Sequence, residues 1–375
     1  MSTDRIAIMG GGLAGLALAY RLQRAGLDFD LFEARNRLGG RILTLGDSES
    51  VAADGFDLGP SWFWPGQSRA LDRLIAELGV PAFPQHSHGD VLVERHAGQP
   101  VRYAGMRHEP HSMRLAGGTA TLINALVSRI PAKAVKLGQR VREIRLAARC
   151  LDVTIADEAD MAARHSYARL IIAAPPRLAE ATLRFEPGLA PHIAGLWRRT
   201  PTWMAPHAKF FALYHRPFWR EAGLSGTGQS ALGPLIEIHD ATTASGKAAL
   251  FGFVGLPADQ RRGVSREILA AACVDQLARM FGADAAAPYA TLFKDWAADN
   301  LTATAADIGG DHPTPYPGAW VDDDWKGRVW LAGSETSLAD PGYLAGAAEA
   351  AERTATAVIS ATLKNSSICN AERRP

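Results

Sequence analysis

Cysteine is scarce in this chain of 375 residues: Cys150, Cys273 and Cys369 are the three present. They are odd in number and far apart, which excludes a disulfide framework and paired metal-ligand spacing and fits a reducing cytoplasm. No sign of charge dominates either. Lys and Arg number 40 against 39 Asp and Glu, with no dense basic block, so the electrostatic footprint of a nucleic-acid binder is missing. No apolar run is long enough to cross a membrane. The apolar stretch 6–20 contains a glycine turn, follows Asp4 and runs into the polar face of Arg21, Gln23 and Arg24, which excludes a signal-peptide core. His86, His88, His96, His108 and His111 cluster without a helical pair or a neighbouring cysteine, which favours scattered surface histidines over a metal site. No Ser-His-Asp or metal apparatus stands out. What the chain does have is length and 47% hydrophobic residues, enough for two domains.

The stretch 5–41 organises the rest. Ile6-Ala7-Ile8-Met9 reads as a buried parallel strand. Gly10, Gly12 and Gly15 follow in the spacing G-x-G-x-x-G, and 13–25 reads as a helix closed by Gly26. Residues 29–32 form a second strand ending on Glu33. Gly10 allows the tight turn, Gly12 lets backbone approach a pyrophosphate, and Gly15 lets helix and strand pack closely. The helix N-terminus offers N–H groups and partial positive charge to phosphate. Glu33 suits ribose hydroxyls and would repel a 2′-phosphate, which argues against NADP. Arg35, Arg37 and Arg41 then surround Gly39-Gly40. They suit bidentate phosphate contact, or form a solvated loop surface.

The whole of GGGLAGLALAYRLQRAGLDFDLFEARNRLGGR resembles the FAD-binding opening of the flavin-containing amine oxidase superfamily (monoamine oxidase-like). Matching motifs run in family order from about residue 5 to 363. The resemblance implies an α/β fold: a Rossmann-like FAD-binding domain with a second, sheet-containing substrate domain. The FAD-binding domain takes residues 1–80, 114–178 and 310–363, the substrate domain 81–113 and 179–309, and 364–375 a flexible tail. It also implies that FAD meets Gly10, Gly12, Leu13, Ala14 and Gly15, then Glu33, Ala34 and Arg35, then Gly39, Gly40 and Arg41. Asp57-Leu58-Gly59 leads to the flavin-side loop Gly59, Pro60, Ser61 and Trp62. Trp62 either lines the substrate cavity or packs under that loop with Phe63 and Trp64.

Further along, residues 67–78 read as an amphipathic helix stopped by Gly79, and 91–94 with 101–103 as a hairpin turning through Ala97-Gly98-Gln99-Pro100. Full-length relatives carry a large helical insertion after this point. Here 104–115 is all that precedes Gly117-Gly118 and the helix 119–130, so the site should be shallower, or closed by a partner subunit or a macromolecular substrate. The segment 135–146 resembles the one whose backbone meets adenine, with Val141 at the contact. A strand 170–174 brings Ala174 to the cofactor and breaks at Pro175-Pro176. Both could equally be plain sheet core.

The segment AKFFALYHRPFW, 208–219, has strand propensity and one lysine in an apolar run, costly to bury without a partner. Lys209 matches the family lysine that holds a water near flavin N5 and favours reaction with oxygen. A lysine snorkelling from a strand end is the plainer reading. A helix 265–281 is capped by Ser265 and Gly282. Trp296 begins the return to the flavin. Asp311 stands where monoamine oxidases attach FAD through cysteine, so FAD is expected to be noncovalent. His312, with Tyr316 as substitute, takes the place of one cage aromatic, and Tyr343 matches the other. After a strand at 328–332 come Gly333 and Glu335, which the resemblance sets against the ribityl chain. Gly342, Tyr343 and Leu344 open a helix to about residue 363 whose N-terminus suits the pyrimidine end of the flavin. The polar ending differs from the hydrophobic tail of membrane-anchored relatives.

The activity implied is oxidation of a small-molecule amine to an imine by hydride transfer to flavin N5, with oxygen returning the flavin and giving hydrogen peroxide. The alternatives are an FAD-dependent desaturase or isomerase of an apolar substrate, and a low-turnover flavin protein acting through a partner. Lys209, Tyr343, His312 and Trp62 are the catalytic candidates. No metal, nucleic acid or membrane is expected, the location is cytoplasmic, and a homo-oligomer stays open.

Overall fold

The structure, a computed structural model, describes residues 5–96, 98–105 and 111–371. His108, Ala97 of the expected hairpin turn and the last four residues of the expected tail lie outside them. The fold is mixed α/β, with a Rossmann-like domain and a second domain that contains its own sheets.

The apolar tetrapeptides at 6–9 and 29–32 are strands Ile6–Met9 and Phe29–Phe32. They sit inside a parallel five-stranded sheet in the order Val329–Leu331, Arg169–Ile172, Ile6–Met9, Phe29–Phe32, Val135–Lys136. All four residues of Phe29–Phe32 are buried, as a strand covered on both faces requires. Two helices pack together against this sheet, Leu13–Arg24 and Leu344–Ala371. Helix Leu13–Arg24 ends where Gly26 takes φ +71, and Arg69–Leu78 ends where Gly79 takes φ +67.

The second domain is built on a mixed, mostly antiparallel sheet that Asp90–Glu94 and Val101–Tyr103 complete. Ala208–Tyr214 pairs with Ala248–Val254 on one side and Ala290–Asp295 on the other, within a seven-stranded sheet. Helix Arg266–Phe281, with Ser265 accepting from Ile268 N–H, covers its back through Leu269, Cys273 and Leu277. A four-stranded sheet, Ala162–Tyr167, Leu151–Ala156, Arg140–Leu146, Arg184–Glu186, is separate in its pairing and packs on the parallel sheet through Val141, Ile144 and Val153.

Two boundaries differ from expectation. The segment 135–146 is split: Gly138, at φ +62, turns the chain so that Val135–Lys136 joins the parallel sheet and Arg140–Leu146 the four-stranded one. The last helix continues to Ala371, through residues expected in a flexible tail. Ser and Asn cost at most about 0.7 kcal/mol each once a helix is nucleated, too little to stop it. No helix among the described residues is long and apolar enough to cross a membrane.

Candidate active site

One cavity of about 410 Å³ runs between the two halves. Both helix mouths open on it, through Leu13 and Ala14 at one and Gly342, Tyr343 and Leu344 at the other. Its far end is lined by Glu33, Ala34, Arg35 and Val141, its middle by Gly39, Gly40, Arg41 and Ala174, and its near end by Gly59, Pro60, Ser61, Trp62, Trp296 and Lys209. Gly10 and Gly12 line it as well.

Gly15 does not line it and serves packing: a Cβ there would sit 1.9 Å from the Gly10 carbonyl oxygen. Gly333 is likewise a close-approach position, 2.6 Å from the Ala174 oxygen by the same construction. Glu335 also lies outside the lining. It is fully buried, accepting from Arg41 Nη1 at 2.6 Å, Arg41 Nη2 at 3.1 Å and Ser334 Oγ at 2.9 Å. A buried carboxylate must be paired, and Arg41 is the pair.

The arginines after Glu33 are tied into the protein, and Arg35 and Arg41 line the cavity as well. Arg35 Nη2 donates to Asp299 Oδ1 at 2.7 Å and to Thr302 Oγ1 at 2.9 Å. Arg37 folds back on its own loop, donating to the carbonyls of Leu38, Gly40 and Ile42. Burial and the Arg35 charge hold the Arg37 guanidinium below its usual pKa. Arg41 ties Gly40's loop to Glu335, Ser334 and the Trp203 carbonyl. Through these bonds the three act as loop struts. Glu33 Oε2 accepts Gly11 N–H and Oε1 accepts Arg35 N–H, both at 2.8 Å, which leaves each oxygen a second lone pair.

Lys209 is 4% exposed and donates from Nζ to Gly59 O at 2.6 Å, Ser61 Oγ at 2.9 Å and Asp57 O at 3.3 Å. The rings of Phe251, Phe253 and Trp62 lie 4.6, 5.2 and 5.9 Å from it. Burial, opposed by Asp57, lowers its pKa to about 7. It does not snorkel. Trp62 combines both expected roles: it lines the cavity, packs on Phe251 and donates to Gln85 Oε1 at 2.8 Å.

The expected cage residues pack with a third ring. His312 and Tyr343 touch, with ring centroids 5.3 Å apart, and both pack on Trp203, at 4.4 and 5.6 Å. Tyr316 packs edge-on against Trp320 and does not line the cavity. Among the described residues no three of His, Cys, Asp and Glu converge as metal ligands.

Sequence reading missed Trp203, His207 and Phe253, which line the near end. His207 was within reach: two residues before Lys209, it shares that face of an extended chain. Its Nδ1 is buried without a partner, and burial lowers the ring's pKa. Phe253 stands opposite Lys209 in the sheet, a register that local sequence does not encode.

Residues 99–359 match the family described as flavin containing amine oxidoreductase, and 8–78 match the NAD(P)-binding Rossmann-like domain. A probable flavin-containing monoamine oxidase A of Dictyostelium discoideum is 25% identical, covering 93% of this chain and 96% of its own. A putative flavin-containing monoamine oxidase, AofH, of Mycobacterium tuberculosis is 26% identical over 95% and 96%. The first alignment spans 451 positions, more than this chain's length, so that relative carries segments missing here. In fold, the chain is similar to putrescine oxidase bound to putrescine (TM-score 0.78, 23% identity, 95% and 99% covered). It is equally similar to cyclohexylamine oxidase from Brevibacterium oxydans (TM-score 0.78, 20% identity, 96% and 99% covered).

Proposed function

The chain belongs to the flavin containing amine oxidoreductase family, and from that premise we propose that it oxidises a small amine to an imine at the Lys209 end of the cavity. It is an FAD-dependent, amine oxidase-like enzyme. Bound FAD would supply the redox chemistry, as acceptor of the amine's hydride equivalent and donor of the electrons that turn oxygen into hydrogen peroxide.

The residues fit that cofactor. Helix Leu13–Arg24 begins at Gly12 without a side-chain cap, so the N–H groups of Leu13 and Ala14 suit the pyrophosphate. Glu33 holds the ribose through its spare lone pairs, with Ala34 beside it, and Val141 and Ala174 offer apolar contact to the rings. Gly10, Gly39 and Gly40 let backbone come close, and at Gly10 and Gly39 the φ values of +108 and +103 favour glycine. At the other mouth Gly342, Tyr343 and Leu344 present a helix N-terminus to developing negative charge. Gly59, Pro60, Ser61, Trp62 and Trp296 close the flavin end. Gly15, Gly333 and Glu335 act through packing and through Arg41.

The single observation that carries the activity is the buried amino group of Lys209 among Trp62, Phe251 and Phe253 at one end of the cavity. A positive charge in an apolar pocket stabilises the negative charge that oxygen gains on reduction. Tyr343, Trp203, Trp62 and Phe253 supply apolar walls that hold the α-carbon and exclude water. His312 fixes Tyr343 and Trp203 from behind. Among the described lining residues Glu33 is the one carboxylate, at the far end, so an ammonium has no counter-ion near Lys209. A neutral amine therefore enters at lower desolvation cost.

Anaerobic addition of a panel of primary and secondary amines should bleach the yellow protein. Bleaching by dithionite and by none of the amines would overturn the proposal. Denaturation in acid should leave FAD in the supernatant, since neither Cys150 nor Cys273 lines the cavity. Flavin retained in the precipitate would show a covalent bond.

A further inference from the structure

The acceptors that hold the Lys209 ammonium all come from one short segment, Asp57, Gly59 and Ser61. The segment is itself clamped. Asp57 is 1% exposed, and its Oδ1 accepts from Thr44 Oγ1 at 2.6 Å, Thr119 N at 2.8 Å and Thr119 Oγ1 at 2.9 Å. Its Oδ2 is out of solvent and without a partner. A bare buried carboxyl oxygen is costly, so a side chain that served packing alone would be better replaced by an amide or an apolar group.

The surrounding charges give the oxygen a use. Arg114, buried beneath, donates to the carbonyls of Ala241 and Thr242, and beyond it Asp240 is paired with Arg220. Opposite Lys209 on the adjoining strand, Lys294 turns to Asp299 and the Trp296 ring. His207 lies two residues back, and Glu237, opposite Phe253, is bound by His239. Asp57 and Arg114 are the charges that act on the Lys209 ammonium, and they act with opposite signs.

We infer that Asp57 is the positioning residue of Lys209: its clamped side chain fixes the three acceptors, and its unpartnered oxygen supplies the negative charge that keeps the lysine an ammonium inside an apolar pocket. The role rests on the proposed function of Lys209. Burial pushes the Asp57 carboxyl up and the lysine down, and the Asp57 charge opposes the lysine's fall.

Titration by NMR of protein labelled at lysine Cε tests this without turnover. The chain has seven lysines, and loss of one signal in Lys209→Met assigns it. The wild-type signal should titrate near 7. Asp57→Asn keeps the shape and removes the charge, and should move that midpoint down by about one pH unit. If Asp57→Asn does not fold, Thr119→Val, which removes one donor to the carboxylate, should move it the same way by less. A midpoint unmoved in whichever variant folds, even with a lowered melting temperature, would overturn the inference and leave Asp57 a packing residue. A protein that oxidises no amine would instead overturn the proposed function, and the titration is read on the same samples.

Discussion

Lys209→Met is expected to slow reoxidation of the reduced protein by oxygen on the order of 100-fold, the scale of losing one preorganised electrostatic group. Methionine fills a similar volume and stays apolar, so the rings of Trp62, Phe251 and Phe253 keep a neighbour. The carbonyl of Gly59 and the hydroxyl of Ser61 lose a donor, at about 1–3 kcal/mol, which lowers stability without emptying the site. The far end, Glu33 and the mouth at Leu13, is untouched, so FAD should stay bound. Stopped-flow mixing with oxygen reads the rate directly. An oxidative half-reaction as fast as wild type would reject the lysine's role, whatever happens to amine turnover.

The same residue sets a pH dependence. Burial holds the Lys209 pKa down at about 7, so below that pH the ammonium is present and above it the amine is neutral. If the charge assists oxygen, reoxidation is fastest below 7 and falls as pH rises through it. The limb should vanish in Lys209→Met. A limb that rises instead would mean that the neutral amine is the active form.

What could be read from the chain alone was what is encoded locally. The strand, glycine turn, helix and strand ending at Glu33 lie within one continuous stretch, and the helix caps at Ser265 and Gly79 are single-residue signals with a steric or hydrogen-bonding cause. Lys209 stood out because a lysine in an apolar strand demands an explanation. What could not be read was pairing across distance. Arg35 finds Asp299, Arg41 finds Glu335, and Phe253 faces Lys209 only once the sheet register is known. The hydrogen bonds that tie the three arginines into the protein therefore have no signature in the local sequence. The aromatic wall shows the same limit: Trp203, which had no local signal, packs against both His312 and Tyr343.

The buried pair between Arg41 and Glu335 makes the other large prediction. Arg41→Ala should cost about 3–5 kcal/mol, because it strands a carboxylate that has no access to water and only the Ser334 hydroxyl left as donor. On the scale of two-domain chains this lowers the melting temperature by roughly 10 °C. The same change frees the Trp203 carbonyl and the loop at Gly40, so flavin retention should weaken with it. Glu335→Ala should cost less, since the Arg41 side chain is 24% exposed and can turn part of its charge to solvent. Removing both leaves no charge uncompensated, and the double variant should lose less than the two single losses combined. Thermal melts of the four proteins decide it. Additive losses would mean that the two side chains act separately, Arg41 as a loop strut and Glu335 as a buried group satisfied by Ser334 alone.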